Sequence, residues 1–140
     1  MRTFLFVCIG LLWERSLQSM KDCSSGSHIG HIESMSMSPE APVAGQNTQI
    51  TVDYVLDSTV TSGEAIYTAS FNGFPFTPTT QPLCPDVEKT TPCPISSGKV
   101  HYEDTLQMGD ATTHGTITAT TTWKDQNGIQ ILCWEFTVRV

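Results

Sequence analysis

His28, His31 and Glu33 are residues whose types and spacing could hold a metal ion. Imidazole nitrogens and a carboxylate so close together are a donor set suited to zinc or another transition metal. The surrounding "HIGHIESMSMS", however, reads as the start of a β-strand. Side chains three apart on a strand point to opposite faces, so the two histidines are expected to diverge as surface residues near a first strand. The adjacent carboxylates Glu103 and Asp104 diverge for the same reason and make a poor acid–base pair. The chain contains no G-x-S-x-G, Walker loop or H-E-x-x-H, and its serines and threonines have no placed histidine beside them. The expectation is a non-enzyme, with no catalytic residue, no metal ligand and no cofactor.

Cysteine is the other residue type with chemistry to offer. Cys8 lies in "FLFVCIGLLW", ten apolar residues that follow Arg2 and precede the polar "ERSLQS". A positive start, an apolar run too short to span a bilayer and a polar exit describe a secretory signal. The expected division is a leader over residues 1–20, cut between Ser16 and Lys21, and one domain over residues 21–140. That leaves Cys23, Cys84, Cys93 and Cys133, an even four that favours two disulfides with three connectivities open. The "CPDVEKTTPC" loop invites a local bridge, which would leave Cys23 for Cys133. Closing so long a loop contributes roughly 4–5 kcal/mol in the chain-entropy model. Zinc is a weak reading here, because there is no C-x-x-C pair.

Charge narrows the partners. The chain carries 7 basic and 14 acidic residues; without residues 1–20 it loses Arg2, Arg15 and Glu14, leaving 5 against 13, a net of −8. Such a surface argues against nucleic acid, since phosphate binding needs basic groups. It also disfavours docking on anionic lipid at neutral pH. In an acidic compartment, protonated carboxylates and charged histidines soften that repulsion. No later segment is apolar enough over a sufficient length to cross a membrane as a helix. Asn47, Asn72 and Asn127 all fail the N-x-S/T sequon.

The elements that must position these residues are strands. "HIESMSMS" sets His31, Glu33, Met35 and Met37 opposite Ile32, Ser34, Ser36 and Ser38. "TQITVDYVLD" puts Ile50, Val52, Tyr54 and Leu56 on one face, and "EAIYTASF" does so for Ala65, Tyr67, Ala69 and Phe71. "KVHYEDTLQM" offers Val100, Tyr102, Leu106 and Met108, interrupted by Asp104. "TITATTTW" backs Ile117, Ala119, Thr121 and Trp123 with threonines of good β-propensity. "DQNG" follows as a hairpin turn signal. The closing "ILCWEFTVRV" sets Leu132, Trp134, Phe136, Val138 and Val140 against Ile131, Cys133, Glu135, Thr137 and Arg139. Prolines at 75, 78, 82, 85, 92 and 94 exclude a central strand from that region. Six or seven short strands between turns read as an all-β, antiparallel sandwich.

The inner faces hold few large aliphatics and many Met, Phe, Tyr and Trp residues. Such side chains either fill an irregular core tightly or line a space that a ligand fills. "NGFPFTPT" carries the same ambiguity: Phe74 and Phe76, held by Pro75 beyond a strand end, either plug the core or guard an entrance.

Four segments carry a resemblance: "KDCSS", the "CPI" after the cysteine loop, "WKDQNG" and "LCWEFTVRV". Together they resemble the ML lipid-recognition domain family across residues 21–140, nearest to its soluble Niemann–Pick type C sterol carriers. The chain is also similar to phosphatidylglycerol/phosphatidylinositol transfer proteins. The resemblance implies an immunoglobulin-like sandwich whose two sheets splay to hold an apolar cavity. It implies the pairings Cys23–Cys133 and Cys84–Cys93. It also places Phe74, Pro75 and Phe76 at the cavity mouth, Met35 and Met37 before "SP", and Trp123 and Trp134 on the cavity side. With the inner faces, the expected lipid-binding set is Met35, Met37, Ile50, Val52, Tyr54, Tyr67, Phe74, Pro75, Phe76, Leu106, Met108, Trp123, Trp134 and Phe136.

The chain departs from the family in two places. "SPEAPVAGQ" is short and lacks the family's extra disulfide. "MGDATTH", with Met108, Asp110 and His114, makes a polar mouth suited to a head-grouped lipid. The implied function is a secreted or lumenal lipid-binding and transfer protein, holding one sterol or phospholipid and exchanging it with membranes. It would work as a monomer, touching membranes transiently and passing lipid to an accepting membrane protein. Its place would be outside the cell or in an acidic endolysosomal or vacuolar lumen. The alternative is a solid-core secreted sandwich acting as a protein- or glycan-binding module, in which Trp134 simply packs.

Overall fold

Period-two alternation sets the strand faces, and "NTQITVDYVL" shows it most fully: Thr48, Ile50, Val52, Tyr54 and Leu56 are all buried. The computed structural model describes residues 19–40, 45–107 and 115–139. In chain order the elements are β1 (Ser19–Asp22), β2 (Gly30–Ser38), β3 (Asn47–Leu56), β4 (Gly63–Phe71), β5 (Phe74–Pro75), β6 (Thr79–Pro82), α1 (Leu83–Val87), β7 (Gly98–Gln107), β8 (Thr116–Asp125) and β9 (Gln130–Arg139). One sheet runs β1-β9-β8-β4-β5, with β6 also on β4; the other runs β2-β3-β7. Neighbouring strands pair antiparallel throughout. The two sheets face each other as an immunoglobulin-like β-sandwich.

The six long strands are those expected from alternation; β1, β5 and β6 are short additions. β5 and β6 both carry proline and sit on the outer side of β4, where a missing backbone donor is tolerated. The turn chemistry divides between two Asn-Gly pairs. Asn72 (φ +50°) and Gly73 (φ +83°) form a two-residue hairpin turn joining Phe71 to its partner Phe74. In "DQNG" only Gly128 takes a positive φ, +75°. That longer turn is instead held by Asp125, whose carboxylate accepts the N–H groups of Asn127 and Ile129, each at 2.9 Å.

Two bulges correct the alternation. β2 shifts register between Ile32 and Ser34, so Glu33 is the extra residue. Ile32, opposite Tyr54, thereby joins Met35, opposite Val52, and Met37, opposite Ile50, on one face. Strict alternation had set Ile32 against the methionines, and nothing in a period-two pattern announces an inserted residue. β8 and β9 shift likewise between Trp123 and Lys124, and Ile131 to Trp134 become four consecutive buried residues.

Both disulfides form: Cys23–Cys133 with Cα atoms 4.9 Å apart and Cys84–Cys93 at 5.7 Å. The first ties the end of β1 to β9, where Met20 already pairs with Phe136 and Asp22 with Trp134. The second starts within α1, a five-residue helical turn too short for periodicity to reveal, which buries Leu83 and Val87.

Candidate functional site

The cross-strand register of β4, β8 and β9 sets inner-face residues side by side in successive rows. Ala65, Trp123 and Leu132 share one row; Tyr67, Thr121 and Trp134 the next; Ala69, Ala119 and Phe136 the third; Phe71, Ile117 and Val138 the fourth. On the facing sheet β3 and β7 pair Tyr54 with Val100, Val52 with Tyr102, Ile50 with Asp104 and Thr48 with Leu106.

The first row is full. Trp123, with 0% exposure, meets Tyr54, Tyr102 and Trp134 edge-to-face at ring-centroid distances of 5.8, 4.9 and 4.8 Å. The third row is hollow, because Ala69 and Ala119 lie next to each other and neither reaches the opposite sheet. A cavity of about 260 Å³ results, walled by Ile50, Tyr102, Leu106, Trp134 and Phe136, with Tyr67, Ala69, Ala119, Thr120 and Thr121 behind. Its exposed rim is Thr68, Phe76, Thr77 and Thr79. The Phe76 backbone N–H donates to the carbonyl of Ala69 at 2.8 Å, which anchors this aromatic beside the hollow row while its side chain stays 59% exposed.

Few polar groups reach the cavity. The Tyr67 hydroxyl donates to the Asp86 carboxylate on α1. Burial first, and that bond second, push the Tyr67 hydroxyl well above its ordinary value. Burial does the same to Tyr102, reinforced by the charge of Asp104. Both phenols therefore keep their protons and act as donors. Asp104 is half-buried, and one of its carboxylate oxygens accepts the Thr105 N–H at 2.8 Å.

Of the expected lipid-binding set, Ile50, Tyr67, Phe76, Leu106, Trp134 and Phe136 line the cavity. Val52, Tyr54 and Trp123 are core residues that do not line it. Met35 and Met37 border a separate shallow depression with Met20, Ser36 and Glu40. Phe74 and Pro75 form the exposed β5, with Phe74 77% exposed and absent from the rim. Met108, Asp110 and His114 lie outside the described residues. Sequence reasoning left out Ala69, Ala119, Tyr102 and Asp104. All four stood on inner faces, but an alanine or a carboxylate there has no evident role until its neighbours across the sheets are known.

The metal reading needs one correction. His28 and His31 do not diverge: their rings approach to 5.1 Å between centroids, because His28 precedes β2 and is not bound by its alternation. Their nitrogens are engaged elsewhere, His28 Nδ1 with the Gly30 carbonyl at 2.8 Å and His31 Nε2 with Asp57 at 2.7 Å. Among the described residues no group of three or more His, Cys, Asp or Glu side chains could hold a metal ion.

Two antiparallel sheets that enclose an apolar cavity at one end define a cavity-bearing immunoglobulin-like domain. The ML domain family model matches residues 18–140, and this chain belongs to that family. It is 31% identical over 134 residues to a Dictyostelium discoideum protein provisionally named phosphatidylglycerol/phosphatidylinositol transfer protein 3, covering 92% of this chain and 86% of that one. A second Dictyostelium discoideum protein, provisionally named transfer protein 1 of the same kind, is 29% identical with 91% and 85% covered. Two solved structures share the fold. One is a Niemann-Pick type C2 protein from the Japanese carpenter ant, with TM-score 0.66, 17% identity, and 86% of this chain and 98% of that chain covered. The other is chicken MD-1 complexed with lipid IVa, with TM-score 0.64, 20% identity, and 87% and 88% covered.

Proposed function

We propose that this protein holds one lipid, a sterol or phospholipid, between its sheets and transfers it between membranes, without catalytic turnover. The observation that carries this reading is the apolar hollow beside Ala69 and Ala119, with an exposed Phe76 at its rim. The names of the Dictyostelium relatives and the lipid bound by the MD-1 structure support it. At about 260 Å³ the cavity falls just below the roughly 300–1,000 Å³ of pockets that enclose drug-sized ligands. It therefore seats the apolar part of a lipid and widens as the Phe76 side chain moves aside.

The physics is burial. Enclosing about 400 Å² of apolar ligand yields roughly 10 kcal/mol gross, reduced by lost ligand freedom and loop ordering. The remainder retains a lipid against water yet allows release at a bilayer. Two disulfides support a secreted or lumenal setting, including an acidic endolysosomal one. The pairing of Met20 with Phe136 favours a leader that ends upstream of β1. The protein works as a monomer in this reading, with a membrane or a lipid-accepting membrane protein as its transient partner.

The test is lipid extraction and mass spectrometry on the purified secreted protein, with uptake of a fluorescent lipid measured at pH 5 and pH 7. One lipid per chain establishes the carrier. No lipid and no uptake at either pH would instead give a protein- or glycan-binding module.

A further inference from the structure

Asp104 puts a carboxylate into a wall whose other described residues are uncharged. It stands on the inner face of β7 between buried Tyr102 and half-buried Leu106, opposite Ile50 on β3, and it lines the cavity. Asp86 holds a second carboxylate nearby, bonded to the cavity residue Tyr67. Among the described residues no lysine, arginine or histidine lines this cavity. Lys89 shares with Asp104 only a separate shallow groove, beside Gln49 and Glu103.

A lipid with its apolar part against Ala69, Ala119 and Phe136 and its polar end against the β7 wall meets Asp104 there. A carboxylate only accepts hydrogen bonds, and the Tyr102 hydroxyl beside it already donates to Asp104, which leaves the phenol oxygen as an acceptor. An alcohol matches that set, because its O–H donates a hydrogen bond to Asp104 and it brings no charge. A phosphate diester brings acceptors and a negative charge, meets the Asp104 charge at short range in a partly desolvated site, and finds no cation among the described lining residues.

We infer that Asp104 makes this cavity select lipids whose polar end is an uncharged hydroxyl over lipids whose polar end is an anionic phosphate. The inference rests on the lipid-carrier reading and adds the substrate class. It also separates this chain from what the names of its Dictyostelium relatives announce.

Two probes with the same pyrene-labelled acyl chain, a diacylglycerol and a phosphatidylglycerol, differ only at the polar end. Each is offered to the purified protein from zwitterionic phosphatidylcholine vesicles. The native protein should take up the diacylglycerol about tenfold better, and Asp104→Asn should cut that ratio severalfold by raising phosphatidylglycerol uptake. Glu33→Gln removes one negative charge from an exposed position on β2 and should leave the ratio unchanged. A ratio near one in the native protein, or one that Asp104→Asn does not move, overturns the inference while lipid carriage stands. A ratio that falls equally in Glu33→Gln also overturns it, because net charge would then explain the preference. Uptake of neither probe overturns this inference, and with no lipid extracted from the purified protein it overturns the carrier reading as well.

Discussion

The closed end around Trp123 and the open end around Ala119 are built by the same strands, and on β8 these two residues are four positions apart. Both sit on the inner face of the sheet, and both face β3 and β7. At the closed end an indole spans the gap between sheets and meets two tyrosines and a second tryptophan. That end is capped further by Leu83, Val87 and Ile95, which are buried beside the Cys84–Cys93 bridge. At the open end two alanines are paired across β4 and β8, and among the described residues no side chain fills the interval between the sheets. The difference shows how a sandwich can be stable and hollow at once: the packed rows hold the sheet spacing, and small residues spend that spacing on a cavity.

The largest effect expected from breaking this contrast is at the closed end. Trp123→Ala should lower unfolding free energy by about 3–5 kcal/mol, measured by chemical denaturation. A loss below 1 kcal/mol would mean that end is not solid. Replacing Cys23 and Cys133 together by serine should cost about 2–5 kcal/mol in the same measurement, since it frees β1 from β9.

A matched pair sharpens the comparison. Ala65→Leu, opposite Trp123 in the full row, should overpack and cost about 1–3 kcal/mol. Ala119→Leu should enter the hollow with little change in stability and lower lipid uptake by at least about tenfold, because the added side chain takes the ligand's space. Equal penalties in the two variants would deny the cavity. Phe76→Ala, at an exposed position, should shift stability by no more than about 0.5 kcal/mol while reducing the rate of lipid uptake severalfold.

The smallest effect lies away from both ends, on the outer face of β3 and β7. His101 joins Glu103 at 2.8 Å and Asp53 at 2.5 Å. The hydrogen bond to Glu103, then that to Asp53, raises the histidine's pKa; His101 in turn lowers that of Asp53. A raised histidine contributes stability that is full below its unfolded value and lost as pH rises through the folded one. A lowered aspartate contributes above its unfolded value and loses that as pH falls through the folded one. The two overlap between about pH 4 and 6.5, the window of an acidic lumen. His101→Gln should flatten the stability profile slightly there, and only slightly, because all three groups are exposed to solvent.

Much of the fold was legible because alternation is a local property. The faces of β3, β4, β7 and β8 could be read residue by residue, and Phe76 could be marked as an aromatic held by proline near a strand end. Its neighbour Phe74 looked equally qualified. Only the Asn72–Gly73 turn decides between them, placing Phe74 on the exposed hairpin and Phe76 back against Ala69. Met35 and Met37 were read on one face correctly, but the β2 bulge and the position of β2 in its sheet take them to a different depression. Tyr54 and Trp123 carry the right chemistry for a cavity wall, yet they meet each other and so fill the space they were expected to line.

Strand count, face assignment, cysteine number and the acidic balance follow from the chain alone, because each depends on residue type and on spacing of one or two positions. Which cysteines pair was suggested by loop length and by resemblance, but the sequence alone left three connectivities open. The cavity belongs to the tertiary structure. It exists because antiparallel register sets Ala69 beside Ala119, and because rows packed by Trp123 hold the sheets too far apart for two methyl groups to close the gap.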